Sequence, residues 1–436
     1  MHTTVFEYGY VTSDKAACVD LGAKLISKRA FEYLKEVSLS AGESDTNKCL
    51  GLTKRFGYEL LQVKNYVGVL FTPTGEHIEV LPKTGRKSAT QEQAILESRE
   101  MLLMMLQHLG SFRYLTSNQA NIASKQMPLL ETFIEQFLQS VNTLVKRGLK
   151  SDYVMQEGNL HFQKGKLKVS QQIRHNAVNQ HKFYVEYDEY QINRPANRLL
   201  KTALLKLTNY TRLAANQKLL RELQFAFIEV PTSKSVEQDI TALKLDRGMT
   251  DYHGPLAWAK LILEGFSPLS MKGDHGALSL LFPMEAVFES YVASVLRSQL
   301  VQGAQLTTQA SSRYLVKHNS RSQFQLRPDL MITCPENQTI VLDTKWKLLD
   351  MSAHNFGLSQ SDFYQMFAYG HKYQSGKGEL VLIYPAHDGF TEAIEHSFDF
   401  GDELKLWVVP FVLEVDGNSR LHFHENHELR KLINVN

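Results

Sequence analysis

Cysteine is scarce in this chain. The three residues Cys18, Cys49 and Cys334 are scattered over 436 positions, which leaves no disulfide framework and no paired zinc-finger spacing. Long apolar runs are missing too. None approaches the ~20 residues that span a bilayer, and the opening "MHTTVFEYGYVTSDK" has neither the charged head nor the apolar middle of a signal peptide. The expected location is the cytoplasm, away from any membrane. There is no internal repeat or low-complexity tract, no G-x-S-x-G nucleophile elbow and no GxxxxGK[ST] phosphate loop; "KTGRKS" at 83–88 lacks the first glycine and the Gly-Lys-Ser/Thr order. A net charge of only +2 argues neither for nor against nucleic acid.

What is present reads as an ordinary globular protein. With 43% hydrophobic residues over this length, two or three domains with substantial cores are expected. Short strands and helices mix over the first hundred residues, with a hairpin expected at 65–85 around Pro73-Thr74-Gly75. A helix is expected over "QEQAILESREMLLMMLQHLG", stopping at Gly110, its Met101, Met104 and Met105 serving as core; another covers "MPLLETFIEQFLQSVNTLVKRGL". From 146 to 221 there are 15 Lys and Arg against 5 Asp and Glu, either a solvated basic surface or a phosphate-neutralising face. "PANRLLKTALLKLTNYTRLAANQKLLRELQ" repeats leucine at helical steps and is expected to form one of the longest helices, and the Gly- and Pro-containing stretch 263–283 reads as an irregular connection. The expected organisation is a mixed α/β domain over 1–125, a mainly helical basic domain over 126–270 and a third domain over 271–436.

The third region has a legible order: a helix over "PMEAVFESYVASVLRSQL", strands over "SSRYLVKH", "FQLRPDLMIT" and "TIVLDTKWK", a helix over "SQSDFYQMFAYGHKYQS" and strands over "GELVLIYPA" and "LKLWVVPFVL". The fold class is α/β, α+β mixed overall, with a central mixed sheet flanked by helices at the C-terminal end. Within it, "LRPDLMITCPENQTIVLDTKWK" (326–347) embeds Asp329, Asp343 and Lys345 in apolar strands. Strand alternation sets Asp343 and Lys345 on one face, where an unpaired charge is costly. If the two strands form a hairpin over the "TCPENQ" turn, Asp329 is expected beside Asp343. Two carboxylates so placed repel unless a divalent cation lies between them, and hard oxygen donors without His or Cys suit Mg²⁺, with Mn²⁺ as substitute. The spacing alone leaves two readings open: metal-assisted phosphodiester hydrolysis with Lys345 acting on water or phosphate, or an Asp343–Lys345 salt bridge at a strand end. Around the set, Glu285 and Glu289 lie four apart on the preceding helix, and Gln365 and Tyr369 share a face of the following one.

That order resembles the PD-(D/E)xK nuclease superfamily: Glu289 on a helix, Pro328-Asp329, then Asp343-Thr344-Lys345, then Gln365 and Tyr369 as in RecB-like nucleases. "NYVGVLFTPTGEHIEVLPK", "LVKRGLKSDYVMQEGNLHFQKGKLKVSQQIR", "YDEYQINRPANRLLKTAL", "FPMEAVFESYVASVL" and "DFYQMFAYGHKY" resemble, in order, blocks of the McrC family, the nuclease subunit of McrBC-type, 5-methylcytosine-dependent restriction systems. The resemblance implies a restriction-endonuclease-like C-terminal domain and a Mg²⁺-dependent endonuclease acting on double-stranded DNA in defence against foreign DNA. It also implies activation by a McrB-like AAA+ hexamer that hydrolyses GTP and contacts the N-terminal region. Asp329 and Asp343 are then metal ligands, joined by Glu289 and the main-chain carbonyl of Thr344. Lys345 acts on the attacking water, Gln365 and Tyr369 brace the lysine or the DNA strand, and Glu285 is the weaker alternative to Glu289.

Three rivals stand beside this reading. His422, His424 and His427 offer a transition-metal set, although no HExxH helix accompanies them. A RecB-like repair nuclease working with a helicase fits the same catalytic residues. A non-catalytic adaptor stimulating a partner NTPase fits the fold without the chemistry.

Overall fold

The computed structural model describes residues 2–40, 49–72, 74–109, 127–245, 247–263, 279–334, 338–401, 403–423 and 430. The chain divides into two compact units, one formed by Met1–Leu129 with Ser267–Asn436 and the other by Leu130–Phe266. Pro73 of the expected hairpin, the helix stop at Gly110, most of the 263–283 connection, the centre of the "TCPENQ" turn, and His424 and His427 lie outside the described residues.

The chain opens with β1 (His2–Phe6), β2 (Tyr10–Thr12), α1 (Lys15–Leu21), β3 (Lys24–Leu25), α2 (Lys28–Ser40), β4 (Leu50–Arg55), β5 (Tyr58–Val63), β6 (Tyr66–Phe71), β7 (His77–Leu81) and α3 (Gln91–Leu106). The hairpin read from the sequence is β6–β7, antiparallel from Gly68–Val80 to Phe71–His77. Asp14 caps α1 by accepting from the Ala16 amide, and Thr90 caps α3 by accepting from Gln93, which satisfies donors that a helix start leaves free. Met101 and Met105 are buried in α3.

The second unit is helical over most of its length, with α4 (Leu129–Arg147), α5 (Val169–Asn176), α6 (Pro195–Leu207), α7 (Ala214–Ala226), α8 (Val236–Thr241) and α9 (His253–Leu263). A three-stranded antiparallel sheet precedes α6, ordered β8 (Asp152–Leu160), β10 (Phe183–Gln191), β9 (Lys166–Leu167). The long helix expected from residue 195 is two helices, broken after Leu207. The buried Glu131 carboxylate holds the turn between them, accepting from Thr211 Oγ1 at 2.8 Å, from the Arg212 and Leu213 amides at 2.5 and 3.2 Å, and from Asn216 Nδ2 at 2.8 Å. A carboxylate contributed by α4 thus holds the turn that leads into α7, and leucine periodicity along the sequence carries no sign of it.

The last region contains β11 (Ser279–Pro283), α10 (Met284–Gln299), β12 (Gln305–Thr308), β13 (Arg313–His318), β14 (Arg321–Leu326), β15 (Leu330–Thr333), β16 (Thr339–Thr344), α11 (Gln360–Tyr373), β17 (Gly378–Pro385), β18 (Phe398–Asp399), β19 (Leu404–Val412) and β20 (Arg420–Leu421). Strand β11 joins the N-terminal strands in a sheet ordered β1-β7-β6-β11. Gly68 makes this closure possible: at φ +130° it needs no side chain, and a Cβ there would lie 1.9 Å from the Leu280 carbonyl oxygen. The central sheet runs β12-β15-β16-β17-β19-β18, with β20 also on β19. It is mixed, antiparallel at β15–β16 and parallel at β16–β17 and β17–β19, as the α/β expectation requires. The single strand expected over "FQLRPDLMIT" is two. It parts at residues 327–329, leaving β13–β14 as a separate two-stranded ribbon.

Helices α10 and α11 both contact β16. Helix α10 buries Val287, Phe288, Tyr291, Val292 and Leu296, so Glu289 sits at the edge of its packed face. Helix α11 approaches β19 closely at Gly370, where a Cβ would meet the Leu404 side chain at 2.5 Å.

Candidate active site

The β15–β16 register pairs Leu330 with Leu342, so the next step outward sets Asp329 opposite Asp343, as the hairpin expectation required. Asp329 Oδ2 accepts from both the amide and the hydroxyl of Thr344, each at 2.8 Å. The sequence reading gave Thr344 a role through its main chain alone; its side chain is a second anchor for Asp329. Asp343 is 1% exposed. Lys345 Nζ lies 2.7 Å from its Oδ2, while Oδ1 has no hydrogen-bond partner among the described residues.

The lysine is held from several sides. Its Nζ donates to Gln365 Oε1 at 3.1 Å, Gln365 Nε2 donates to Tyr369 Oη at 2.7 Å, and the Tyr369 hydroxyl donates to the Arg327 carbonyl at 2.9 Å. The relay fixes the amide orientation of Gln365 and returns to the segment that carries Asp329. Asp362, one turn before Gln365 on α11, places Oδ1 3.8 Å from Lys345 and accepts from Tyr384 Oη at 3.3 Å.

Glu289 belongs to the same group. Its Oε1 accepts from Gln309 Nε2 at 2.5 Å, and the Gln309 amide donates to the Asp329 carbonyl at 2.9 Å. Glu285 instead accepts from Asn65 Nδ2 at 2.9 Å and fronts a cavity of about 460 Å³ bordered by Glu7, Lys83, Lys345, Trp346 and Asp362. The geometry therefore separates the two glutamates that sequence spacing left side by side.

Electrostatics agree with the contacts. Burial, then the Asp329 charge, raises the Asp343 carboxyl well above the ordinary range, and Lys345 only partly offsets this. Burial and Asp329 also push Glu289 up to about 7. Burial disfavours the Lys345 cation, but Asp343 outweighs it and the lysine is raised overall. Tyr369 is pushed up to about 12, chiefly by burial. Carboxylates crowded this way are frustrated until positive charge arrives.

Among the described residues no three His, Cys, Asp or Glu side chains form a ready-made metal cage. The oxygen donors nevertheless suit Mg²⁺, which takes one or two carboxylates and keeps several waters. The partnerless Oδ1 of buried Asp343 is the atom such an ion would satisfy. His422 of the rival set follows β20 and donates its amide to the Pro410 carbonyl; its expected partners lie outside the described residues.

Sequence reasoning missed Asp362, Gln309, Tyr384 and Glu7. Asp362 had a usable signal, since 362, 365 and 369 share one helical face. Glu7 had none: its Oε1 accepts from Trp346 Nε1 at 2.6 Å and from the Lys83 amide at 3.0 Å. Burial pushes this carboxyl up to about 7. Trp346 in turn lies against Phe288, with ring centroids 5.2 Å apart, so the neighbours of Glu289 and Lys345 pack on each other.

The family described as McrBC 5-methylcytosine restriction system component matches residues 61–385. No curated protein matches the chain. Among solved structures, a chain of the refined half-complex from a tetradecameric assembly of Thermococcus gammatolerans McrB AAA+ hexamers with bound McrC is 19% identical, with 96% of each chain covered and a TM-score of 0.68. The cryo-EM structure of the Thermococcus gammatolerans McrBC complex contains a chain 21% identical, covering 68% of this chain and 87% of that one, at a TM-score of 0.47. The first of these shows the shared fold.

Proposed function

The chain belongs to the McrBC 5-methylcytosine restriction system component family, and on that premise we propose that it is a Mg²⁺-dependent DNA endonuclease subunit, activated by a McrB-like AAA+ GTPase hexamer and acting in the cytoplasm on foreign, modified double-stranded DNA. The observation that carries the catalytic reading is Asp343: a buried carboxylate with an unsatisfied oxygen, set between Lys345 and the Asp329 carboxylate. The partner reading draws support from the Thermococcus gammatolerans relative, which is bound to McrB AAA+ hexamers, and from the absence of a phosphate loop in this sequence. Family membership favours a restriction system over a RecB-like repair nuclease.

Asp329 and Asp343 would hold the ion, with Glu289 in reach through water. The chemistry a bound Mg²⁺ supplies here is neutralisation of these carboxylates and polarisation of the phosphate under attack. Lys345, with its raised pKa, keeps its proton at neutral pH. One N–H faces Asp343 and one Gln365, leaving a third to donate to a water or a phosphate oxygen. The lysine therefore orients and stabilises rather than abstracts. Gln365 and Tyr369 set its direction, and Thr344 holds Asp329 in place by two hydrogen bonds.

The test is Mg²⁺ titration of the melting temperature alongside plasmid cleavage with the reconstituted partner and GTP. Mg²⁺ should raise the melting temperature of the wild-type chain, as any ligand of the native state does, and leave Asp343→Asn unmoved. Cleavage that persists undiminished in Asp343→Asn would overturn the site.

A further inference from the structure

The ribbon β13–β14 stands apart from every sheet that forms the core. All six residues of β13 and the first four of β14 are exposed. Residues 310–327, "ASSRYLVKHNSRSQFQLR", contain Arg313, Lys317, Arg321 and Arg327 and no acidic residue. Among the described residues neither Arg313, Lys317 nor Arg321 has an ion-pair partner. The cross-strand pairs Lys317–Ser322 and His318–Arg321 place Lys317 on one face of the ribbon and Arg321 with His318 on the other, since paired residues share a face. A partner lying flat on the ribbon would meet only one of these sets, whereas the walls of a groove meet both.

A second feature lies in the ladder itself. Pairing runs through Arg313–Leu326 and Tyr314–Gln325 and resumes at Val316–Gln323. Between them Phe324 sits at φ +57°, a conformation a bulky side chain rarely adopts, and its ring is 70% exposed. Strain and exposure together in an aromatic are unfavourable for the free protein and are the pattern of a residue kept for contact with something else. Its place is close to the candidate chemistry: at about 3.3 Å per residue, Phe324 lies within ~17 Å of Asp329 along the chain. The base of the ribbon is pinned there, because the Tyr373 hydroxyl bonds the Ala310 and Leu326 carbonyls at 2.9 and 3.0 Å.

We infer that the β13–β14 ribbon is a DNA-binding arm that enters a groove of the duplex beside the bond to be cut, with Arg313, Lys317 and Arg321 neutralising phosphates on both walls and Phe324 contacting bases. The major groove of B-DNA, about 12 Å wide, admits a two-stranded ribbon, and apolar side chains that meet base steps help to bend or unstack them. This rests on the endonuclease reading above.

The experiment is fluorescence anisotropy of a labelled duplex with the full chain and its AAA+ partner, in an Asp343→Asn background so that the DNA stays whole, between about 50 and 200 mM salt. Replacing Arg313, Lys317 and Arg321 together by Ala should weaken binding and lower the slope of log affinity against log salt by about 3, one per lost phosphate contact. Replacing the same three by Lys or Arg, charge retained, should restore the slope. Phe324→Ala should weaken binding about 5- to 100-fold at unchanged slope, the loss expected of one base-stacking aromatic, and Phe324→Trp should recover it. Unchanged affinity and slope in the triple variant overturn the arm while leaving the endonuclease reading intact, provided Asp343→Ala still abolishes cleavage. A change of oligomeric state at unchanged DNA affinity overturns it in favour of a second copy covering the ribbon. Failure of the parent complex to bind duplex overturns both.

Discussion

Glu79 and Asp343 are both carboxylates on strands, both 1% exposed, and they have opposite surroundings. Glu79 receives Arg99 Nε and Nη2 at 2.8 Å each, Thr4 Oγ1 at 3.0 Å and the Leu129 amide at 3.0 Å. Burial alone would raise its pKa, but the Arg99 and His2 hydrogen bonds, the Arg99 charge and the Leu129 amide together more than offset this and hold the carboxyl at about 2. Asp343 has one lysine, an oxygen without a hydrogen-bond partner and a second carboxylate as neighbour. The same burial thus produces a structural anchor in one case and a frustrated site in the other. A fully met charge holds a fold together; an unmet one marks where a ligand is expected.

The largest effect that can break this contrast is on cleavage. Asp343→Ala should reduce it below detection and Lys345→Ala by about 10²–10³-fold, with partner binding and GTPase stimulation unchanged in both. Plasmid nicking and GTP turnover by the reconstituted complex check this. Stability should invert the order. Glu79→Ala strands a buried Arg99 and should cost about 3–5 kcal/mol in urea unfolding, whereas Asp343→Asn removes a repelled charge and should cost nothing or stabilise the metal-free protein.

The pH profile separates the two carboxylates without ambiguity of sign. Glu79 has a depressed pKa, so its contribution is present above the unfolded value of 4.5 and is lost as pH falls from 4.5 towards about 2. Asp343 and Glu289 are raised, so the folded state binds their protons more tightly and metal-free stability falls as pH climbs from about 4 to 7. Asp343→Asn and Glu289→Gln should lessen that upper slope, with Glu7, also raised to about 7, supplying the remainder, and leave the lower one alone; melting curves across pH 3–8 decide it, and an unchanged upper slope would count against the shared site. The smallest effect expected is in Tyr369→Phe. It removes the hydroxyl that accepts from Gln365 Nε2 and donates to the Arg327 carbonyl but leaves the Lys345–Gln365 contact in place, about tenfold in cleavage at 1–1.5 kcal/mol, with no change in the pH slopes.

Much of the site was legible because it is written in short spacings. Asp343 and Lys345 two apart, Gln365 and Tyr369 four apart, and a hairpin returning Asp329 to Asp343 follow from strand and helix periodicity. What spacing could not supply was contact across the fold. Gln309 links Asp329 to Glu289 from a turn with no motif, and Glu7 meets Trp346 across 339 positions. The split of "FQLRPDLMIT" was hidden for the same reason. Alternation identifies a strand, but whether its neighbour is the core sheet or a solvent-exposed ribbon depends on partners the local sequence does not name. The break after Leu207 was hidden likewise, the turn that follows being held by Glu131 from another helix.

The closure of the β1-β7-β6 sheet by β11 has a consequence for how the protein is made. During synthesis β6, whose six residues are all buried in the finished fold, has an open edge until residues 279–283 leave the ribosome, and such an apolar edge invites aggregation. The Leu130–Phe266 unit is continuous and can assemble in the interval. Strand β11 then runs directly into α10, and the Met284 amide bonds the Asn65 carbonyl at 2.9 Å. Glu289 is therefore fixed in place by the step that seals the N-terminal sheet, so a chain interrupted before that step lacks one member of the candidate site.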